Sequence, residues 1–460
     1  MSSPRGNPAR QPSLREHNLG LTLAEIADHG PASRARLATA TGLTKATVSS
    51  LVDTLVSGGL VREVGPNGAP GPNGAHGSSG GPDPAGSPAR VGRPGSPIAL
   101  AADGAVGIGL EINVDYLATC TVDLAGGVRQ RQLVTADFRR GRIGSALDRA
   151  AAALVTAMGA ARDAGVPVAG VAVGVPGLVD NAADAGGALL RLAPNLGWRD
   201  VAILDELRAR AAGPSLPPGL AMTLDNEANR AALGELWCGG HRAADGGPLR
   251  TFVYVSGEIG VGAGLVVEGQ LFRGLRGFSG EIGHLPIAAV GIAQPCSCGA
   301  YGCLEQLAGQ EAILRAAGLH AVDGAGAGLP AADGLGTGNG SPDGPVGELV
   351  RLAGLGDPAA LAAIADAGTA LGTGISAVLN LVDADTVVLG GLYARLAPWL
   401  VPSVEREIAV RALAASWAPV QVLVSRLGGE AAVRGAAMSV VRGVIEDPAG
   451  YLAESAPAPR

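Results

Sequence analysis

Between Gly280 and Glu305 the chain reads Gly-Glu-Ile-Gly-His, then eleven residues, then Cys-Ser-Cys-Gly-Ala-Tyr-Gly-Cys-Leu-Glu. Three of the five cysteines in the 460-residue sequence fall within eight positions, downstream of a histidine. Gly299 and Gly302 stand where a tight loop must let the sulfurs converge. Structural Zn²⁺ takes four tetrahedral N/S ligands, so His284, Cys296, Cys298 and Cys303 make a closed shell with no position left for a reactive water. Such a metal holds shape and does no chemistry. The competing reading is a reduced thiol cluster without metal. Two carboxylates, Glu281 and Glu305, flank the knuckle and are not needed by a closed shell. They direct attention to a polar ligand.

Composition narrows the class of protein. Apolar residues make up 47% of the chain and aromatics only 3%, so the hydropathy comes from Ala and Gly. No uninterrupted apolar run reaches the roughly 18 to 20 residues of a membrane span, and the N-terminus lacks the apolar core of a signal peptide. The expectation is a cytoplasmic protein with no membrane partner, in which thiols stay reduced. The formal charge of −7 hides an asymmetry: residues 1–95 carry nine Arg/Lys and six Asp/Glu, net +3, leaving 25 and 35, net −10, for the remainder. A polyanion suits the basic end. Lys45 is the one lysine in the chain, so any chemistry needing a lysine elsewhere is excluded.

The N-terminal pattern predicts helices. Leu14 to His29 places Leu19, Leu23 and Ile26 on one side; Ser33 caps a short helix through Leu37 to Ala40; and Thr44 caps a third with Val48, Leu51, Val52 and Leu55 at i, i+3, i+4 and i+7. Gly58-Gly59 ends it, and Leu60 to Val64 fits the first strand of a wing. This order is a winged helix-turn-helix over residues 1–64, with Lys45, Thr47, Ser49 and Ser50 on the helix that enters a major groove. A three-helix protein-contact module shares the pattern. Residues 65–97 are Gly, Pro, Ala, Asn and Ser almost throughout and read as a flexible wing insert and linker. At its end Arg90 and Arg93 flank Gly92, a spacing suited to a narrow minor groove or to a linker that touches nothing.

From residue 98 to 460 strands and helices alternate. Strands are expected at Ala105 to Leu110, Leu117 to Val122, Val168 to Val175, Ala221 to Leu224, Thr251 to Val255, Val261 to Val267 and Thr386 to Leu389. Helices are expected at Ile143 to Ala164, Glu227 to Cys238, Glu311 to Ala316, Asp357 to Asn380 and, closing the chain, Glu430 to Val444. Residues 318–347 read as a second Gly-rich disordered insert. The whole is an α/β body with glycine-bearing loops after strands, where ligands usually sit.

This combination resembles the ROK family of sugar kinases and sugar-responsive repressors, whose repressors add an N-terminal winged helix-turn-helix. The family hallmark, Gly-Glu-Ile-Gly-His followed by Cys-x-Cys-Gly-x-x-Gly-Cys-x-Glu, is matched residue for residue. The resemblance implies an actin-like ATPase (ribonuclease H-like) body of two lobes with a sugar and nucleotide cleft between them. It implies that His284 and the three cysteines hold zinc while Glu281, His284 and Glu305 surround a sugar. Ala193-Pro194-Asn195-Leu196-Gly197-Trp198 looks like the sugar-side loop, which brings in Asn195. Asp225-Asn226-Glu227-Ala228-Asn229 aligns with the segment of the kinases' Asn-Asp pair, making Asn226 a sugar contact and Glu227 the occupant of the base position.

Departures from the kinase pattern bear on function. Where the kinases carry Asp-x-Gly-Gly-Thr-Lys, this chain has Glu111-Ile112-Asn113-Val114-Asp115-Tyr116. The glycines that admit phosphate to the backbone and the cation that offsets its charge are both replaced. Where the kinases have Gly-Thr-Gly-Ile-Gly-Gly-Gly, Ser256 to Gly262 inserts Glu258. Like charges about 4 Å apart at an effective dielectric of 20 repel by about 4 kcal/mol. Glu227 is one methylene longer than the aspartate it replaces, and a misplacement of about 1 Å can cost about a hundredfold. The expectation is therefore a DNA-binding repressor with a small neutral sugar as effector, a vestigial base position, structural zinc and no use of ATP or Mg²⁺. It binds an inverted-repeat operator as a homodimer or homotetramer. The alternative is an ATP-dependent sugar kinase carrying a DNA-binding arm.

Overall fold

The computed structural model describes residues 11–65, 96–138, 143–181, 187–211, 216–288, 294–319 and 344–455. The inserts read at 65–97 and 318–347, together with Arg90 and Arg93, lie wholly or mainly outside the described residues.

The N-terminal unit is α1 (Gln11–His29), α2 (Arg34–Thr41), α3 (Lys45–Ser57) and β1 (Val61–Glu63). Both expected caps form: the Ser33 side chain accepts from Arg36 N and that of Thr44 from Thr47 N. Leu23, Ile26, Leu37, Val48, Leu51, Val52 and Leu55 are buried as one core. Arg34 ties the unit together, donating to Glu63 of the wing at 2.7 Å and to Asp53 of α3 at 2.9 Å. The partner of β1 is β2 (Ile98–Leu100), antiparallel, with Val61 opposite Leu100. A domain boundary at residue 98 therefore cuts the wing, because its second strand follows the insert. The pairing with β1 runs to Leu100.

The body repeats one topology. Its first lobe contains β3 (Val106–Ile112), β4 (Tyr116–Asp123), β5 (Val128–Thr135), α4 (Ile143–Asp163) and β6 (Val168–Val175). A small sheet follows, made of β7 (Leu178–Asp180), β8 (Leu189–Ala193) and β9 (Trp198–Val201), then α5 (Ile203–Arg210), β10 (Met222–Asn226) and α6 (Glu227–Cys238). The second lobe has β11 (Phe252–Gly257), β12 (Val261–Val267), β13 (Gln270–Leu271), α7 (Glu305–Ala308), α8 (Gln310–Ala316), α9 (Pro345–Gly354), α10 (Pro358–Val382), β14 (Thr386–Gly390), α11 (Gly391–Arg411) and β15 (Gln421–Val424). The main sheets run β10-β6-β3-β4-β5 and β13-β12-β11-β14-β15. In each, the first strand pairs antiparallel with the second on one side and parallel with the fourth on the other. Loops at the carboxyl ends of β3, β6, β10 and β11 consequently gather at one cleft.

Several elements depart from expectation. Helix α9 begins at Pro345, inside the span read as disordered to 347. Helix α11 went unread because Pro398 and Pro402 lie inside it and proline removes a donor. It persists because Leu392, Leu396, Leu400, Val404 and Ile408, spaced by four, are all buried in the second-lobe core. Helix α10 is long and apolar enough by composition to cross a membrane, yet more than half of its most apolar stretch is buried within the protein.

Nor does the chain end at the helix expected there. After α12 (Ala431–Glu446) comes α13 (Pro448–Ser455). Helix α12 packs on α6 and on β3, β4 and β6, and also touches α1. Its crossing with α6 is close: a Cβ at Gly435 would stand 1.8 Å from the Arg230 carbonyl oxygen. Arg442 of α12 donates to Asp28 of α1 at 2.8 Å, so the winged helix is docked on the first lobe rather than tethered to it.

Candidate effector cleft and nucleic-acid interface

One cavity of about 360 Å³ is lined by Asn195, Asn226, Glu227, Glu281, His284 and Glu305. All six residues assigned to a sugar thus face a common space, from both lobes. Local structure explains how. Asn226 and Glu227 mark the passage from β10 into α6, and Glu281 precedes a short 3₁₀ turn, Ile282–His284. Gly260 allows a close approach, since a Cβ there would meet Glu305 Oε2 at 2.7 Å and Asn195 Nδ2 at 3.4 Å.

The roles of the six differ. Asn226 Oδ1 caps α6 by accepting from Ala228 N and Asn229 N, and its Nδ2 donates to the Gly177 carbonyl at 3.1 Å. That leaves one amide hydrogen for a ligand. Glu227 Oε2 is buried without a hydrogen-bond partner, and burial holds its carboxyl well above the usual range. Burial also raises Glu281, partly offset by His284.

Across the cleft, the side formed by the β3–β4 and β11–β12 turns is carboxylate-rich. Tyr116 Oη donates to Glu111 Oε1 at 2.5 Å, and Asn113 Nδ2 donates to Tyr116 Oη at 3.0 Å. Burial pushes Glu111 up to about 7, with the hydrogen bonds from Tyr116 and Asn113 opposing it. Glu258, at the turn between β11 and β12, is pushed up to about 8 by burial and by Glu111 and Asp115. Glu258 and Asn113 line the same cavity as the sugar-side residues. The Tyr116–Glu111 bond could not be read from spacing, nor could Arg273, whose Nε donates to Asp225 Oδ2 at 3.0 Å, beside Asn226. The signal for the first was a tyrosine where the kinase pattern has a lysine; the second had none beyond a charged residue beside a loop.

The knuckle folds as expected from its glycines: Gly299 and Gly302 have φ of 94° and 73°. One atom each of His284, Cys296, Cys298 and Cys303 lies within 4.8 Å of all the others. Cys298 Sγ and Cys303 Sγ are 3.8 Å apart, and Cys296 Sγ is 3.7 Å from His284 Nδ1. A tetrahedron with metal–sulfur arms of about 2.3 Å has edges of about 3.8 Å, so the donor set fits a metal ion. His284 Nε2 faces the other way, 3.9 Å from Glu281 Oε2.

On α3, Lys45 and Ser50 are exposed, while Ser49 is half-buried. Thr47 is engaged in the cap, its hydroxyl 2.9 Å from that of Thr44. Arg62 on β1 is exposed as well; a lone arginine in a short strand carries no periodic signal.

Comparison with known proteins agrees with this architecture. The family model described as ROK family matches residues 107–442, and that of the MarR family matches residues 20–69. A putative xylose repressor of Caldicellulosiruptor sp. (strain Rt8B.4) is 30% identical over 95% of this chain and 98% of its own. The crystal structure of a ROK family transcriptional regulator, described as a homologue of the E. coli MLC protein, superposes with a TM-score of 0.70 over 96% of this chain and 100% of that one, at 22% identity. A ROK family glucokinase from Streptomyces griseus, solved with glucose and AMPPNP, gives 0.56 over 73% of this chain and 98% of that one, at 25% identity. With a two-lobed actin-like body matched over most of its length and a winged helix in front, the chain belongs to the ROK family.

Proposed function

We propose that this protein is a sugar-responsive transcriptional repressor: the winged helix takes double-stranded operator DNA and the cleft takes a small neutral sugar. The observation that carries the reading is the asymmetry of the cleft. Its sugar side keeps Asn195, Asn226, Glu281, His284 and Glu305 around one cavity, while its phosphate side is filled by Glu111, Tyr116 and Glu258. Carboxylates that each satisfy two hydroxyls suit a polyol, and they repel a sugar phosphate. The full-length similarity to a putative xylose repressor supports a pentose or hexose as ligand.

We read the metal as zinc in a structural role. His284, Cys296, Cys298 and Cys303 would hold it, fixing the loop that carries His284 and Glu305 into the cleft. Helix α6 starts at Glu227 in the cleft, lies against α12, and α12 holds α1 through Arg442 and Asp28. That chain of packed helices is the route by which sugar shifts the head, limited by the sugar's differential affinity for the two states. A homodimer presents two α3 helices to an inverted repeat about 34 to 36 Å apart.

The test is fluorescence anisotropy on operator DNA selected from a random-sequence pool, titrated with hexoses, pentoses and amino sugars. One sugar releases the DNA; operator affinity unchanged across the panel overturns the reading. The position of Glu227 at the start of α6 favours a second reading, a sugar kinase with a DNA-binding arm. Turnover of about 1 s⁻¹ in a coupled ADP-release assay would establish it.

A further inference from the structure

A second cavity, of about 810 Å³, lies between the winged helix and the body. It is walled by the end of α1, by Leu100 of the wing, by the end of α6 and by α12. Four arginines line it, Arg242, Arg250, Arg434 and Arg442, against a single acid, Asp28. Asp28 is already paired with Arg442. Arg242, Arg250 and Arg434 have no carboxylate oxygen within 4.0 Å among the described residues. Arg250 donates to the Glu268 carbonyl at 3.1 Å, and Arg434, whose side chain is hydrogen-bonded to the Cys238 thiol, keeps a buried Nε with no partner among the described residues. Trp237 stands in the same wall, with the Arg442 guanidinium 5.9 Å from its ring centroid.

Three guanidinium groups without a carboxylate partner among the described residues line this one crevice, on a body whose residues 96–460 sum to −10. Like charges in a crevice repel unless an anion sits among them, and guanidinium forks match phosphate oxygens in pairs. The indole adds a flat apolar surface for a ring. We infer that this crevice binds a small phosphorylated molecule bearing a ring, with its phosphate on Arg242, Arg250 and Arg434 and its ring against Trp237. No residue of α2 or α3 lines the crevice, so it stands apart from the helix placed for DNA. A half-buried Arg434 suits a ligand that enters, rather than a duplex that passes over.

The probe is AMP, titrated calorimetrically without Mg²⁺ into the full-length protein, with adenosine as the uncharged control. AMP binds one per chain, adenosine at least about tenfold more weakly. Arg434→Gln weakens AMP at least about tenfold. Arg242→Gln, at an exposed position, weakens it severalfold with an unchanged melting temperature, which guards against a merely unfolded variant. Absence of AMP binding at millimolar concentration overturns the inference. So does AMP binding that both variants leave intact and that sugar displaces, because the anion then sits in the other cleft. Loss of operator affinity in Arg242→Gln without any AMP binding assigns the arginines to the DNA backbone and likewise overturns it.

Discussion

The Tyr116 hydroxyl and the Glu111 carboxylate form a buried hydrogen bond of 2.5 Å across the β3–β4 hairpin, where a phosphate loop would open. The tyrosine occupies the place of a cation, and its bond to Glu111 closes the turn on itself. Opening that turn to admit a phosphate would strand a buried carboxylate.

Mg-ATP should therefore neither bind nor turn over. Tyr116→Phe should destabilise the fold by about 1 to 2 kcal/mol through the lost bond, as read by urea denaturation. It should leave ATP binding undetectable by calorimetry. A variant that gained ATP affinity would show that the hydroxyl, and not the carboxylates, excludes the nucleotide.

Stability should fall with rising pH in the unliganded protein. Glu111 at about 7 and Glu258 at about 8 are both raised from the 4.5 of an unperturbed group. The folded state then binds more protons than the unfolded state between these values, so the slope of unfolding free energy against pH is negative there. The stabilisation is complete below about 4.5 and is lost as pH passes through 7 and then 8. Thermal melts from pH 6 to 9 should show a falling midpoint, and Glu258→Gln should flatten the upper part of the fall. An equal slope in the variant would remove Glu258 as its source.

Metal removal should strike sugar binding first. Cys298 lines the effector cavity, whereas α1 of the winged helix packs on α12 and α13. With chelator, or in Cys298→Ser, sugar affinity measured by calorimetry should drop at least about tenfold while operator affinity persists. Simultaneous loss of both would mark the metal as a prop for the whole fold.

Two glycines of α12 should respond in opposite directions. Gly435→Ala drives a Cβ into the Arg230 carbonyl of α6 and should cost about 1 to 3 kcal/mol or more. Gly443 has nothing within 4 Å of a Cβ, so Gly443→Ala should be neutral or stabilise by up to about 1 kcal/mol. Chemical denaturation of the pair checks both; equal effects would rule out close helix crossing as the cause.

What sequence reasoning reached followed periodicity and punctuation. The helix Glu227–Cys238 and the strands Val168–Val175 and Val261–Val267 were legible to the residue, because a cap, prolines or glycines mark their ends. The ligand positions followed from an unusual motif. What it missed depends on distance in space. Helix α11 violates local proline rules and is rescued by burial against the rest of the lobe. Strand β2 belongs to a wing whose other strand lies before residue 66, and no local pattern reveals its partner. Asn226 could be placed in the cleft by motif, but that most of its amide is consumed by a helix cap and the Gly177 carbonyl emerges only in three dimensions.

The position of α12 and α13 also sets an order of events during synthesis. Both helices follow the other elements in chain order, yet α12 covers β3, β4, β6 and α1, and α13 covers α1, all of which precede them. The leading sheet must wait on the ribosome with an apolar face uncovered until residue 446 has emerged, so domain-by-domain folding from the N-terminus is unavailable to this chain. A message truncated shortly before α12 would release a product whose second lobe is largely present but whose DNA-binding head has nothing to dock on.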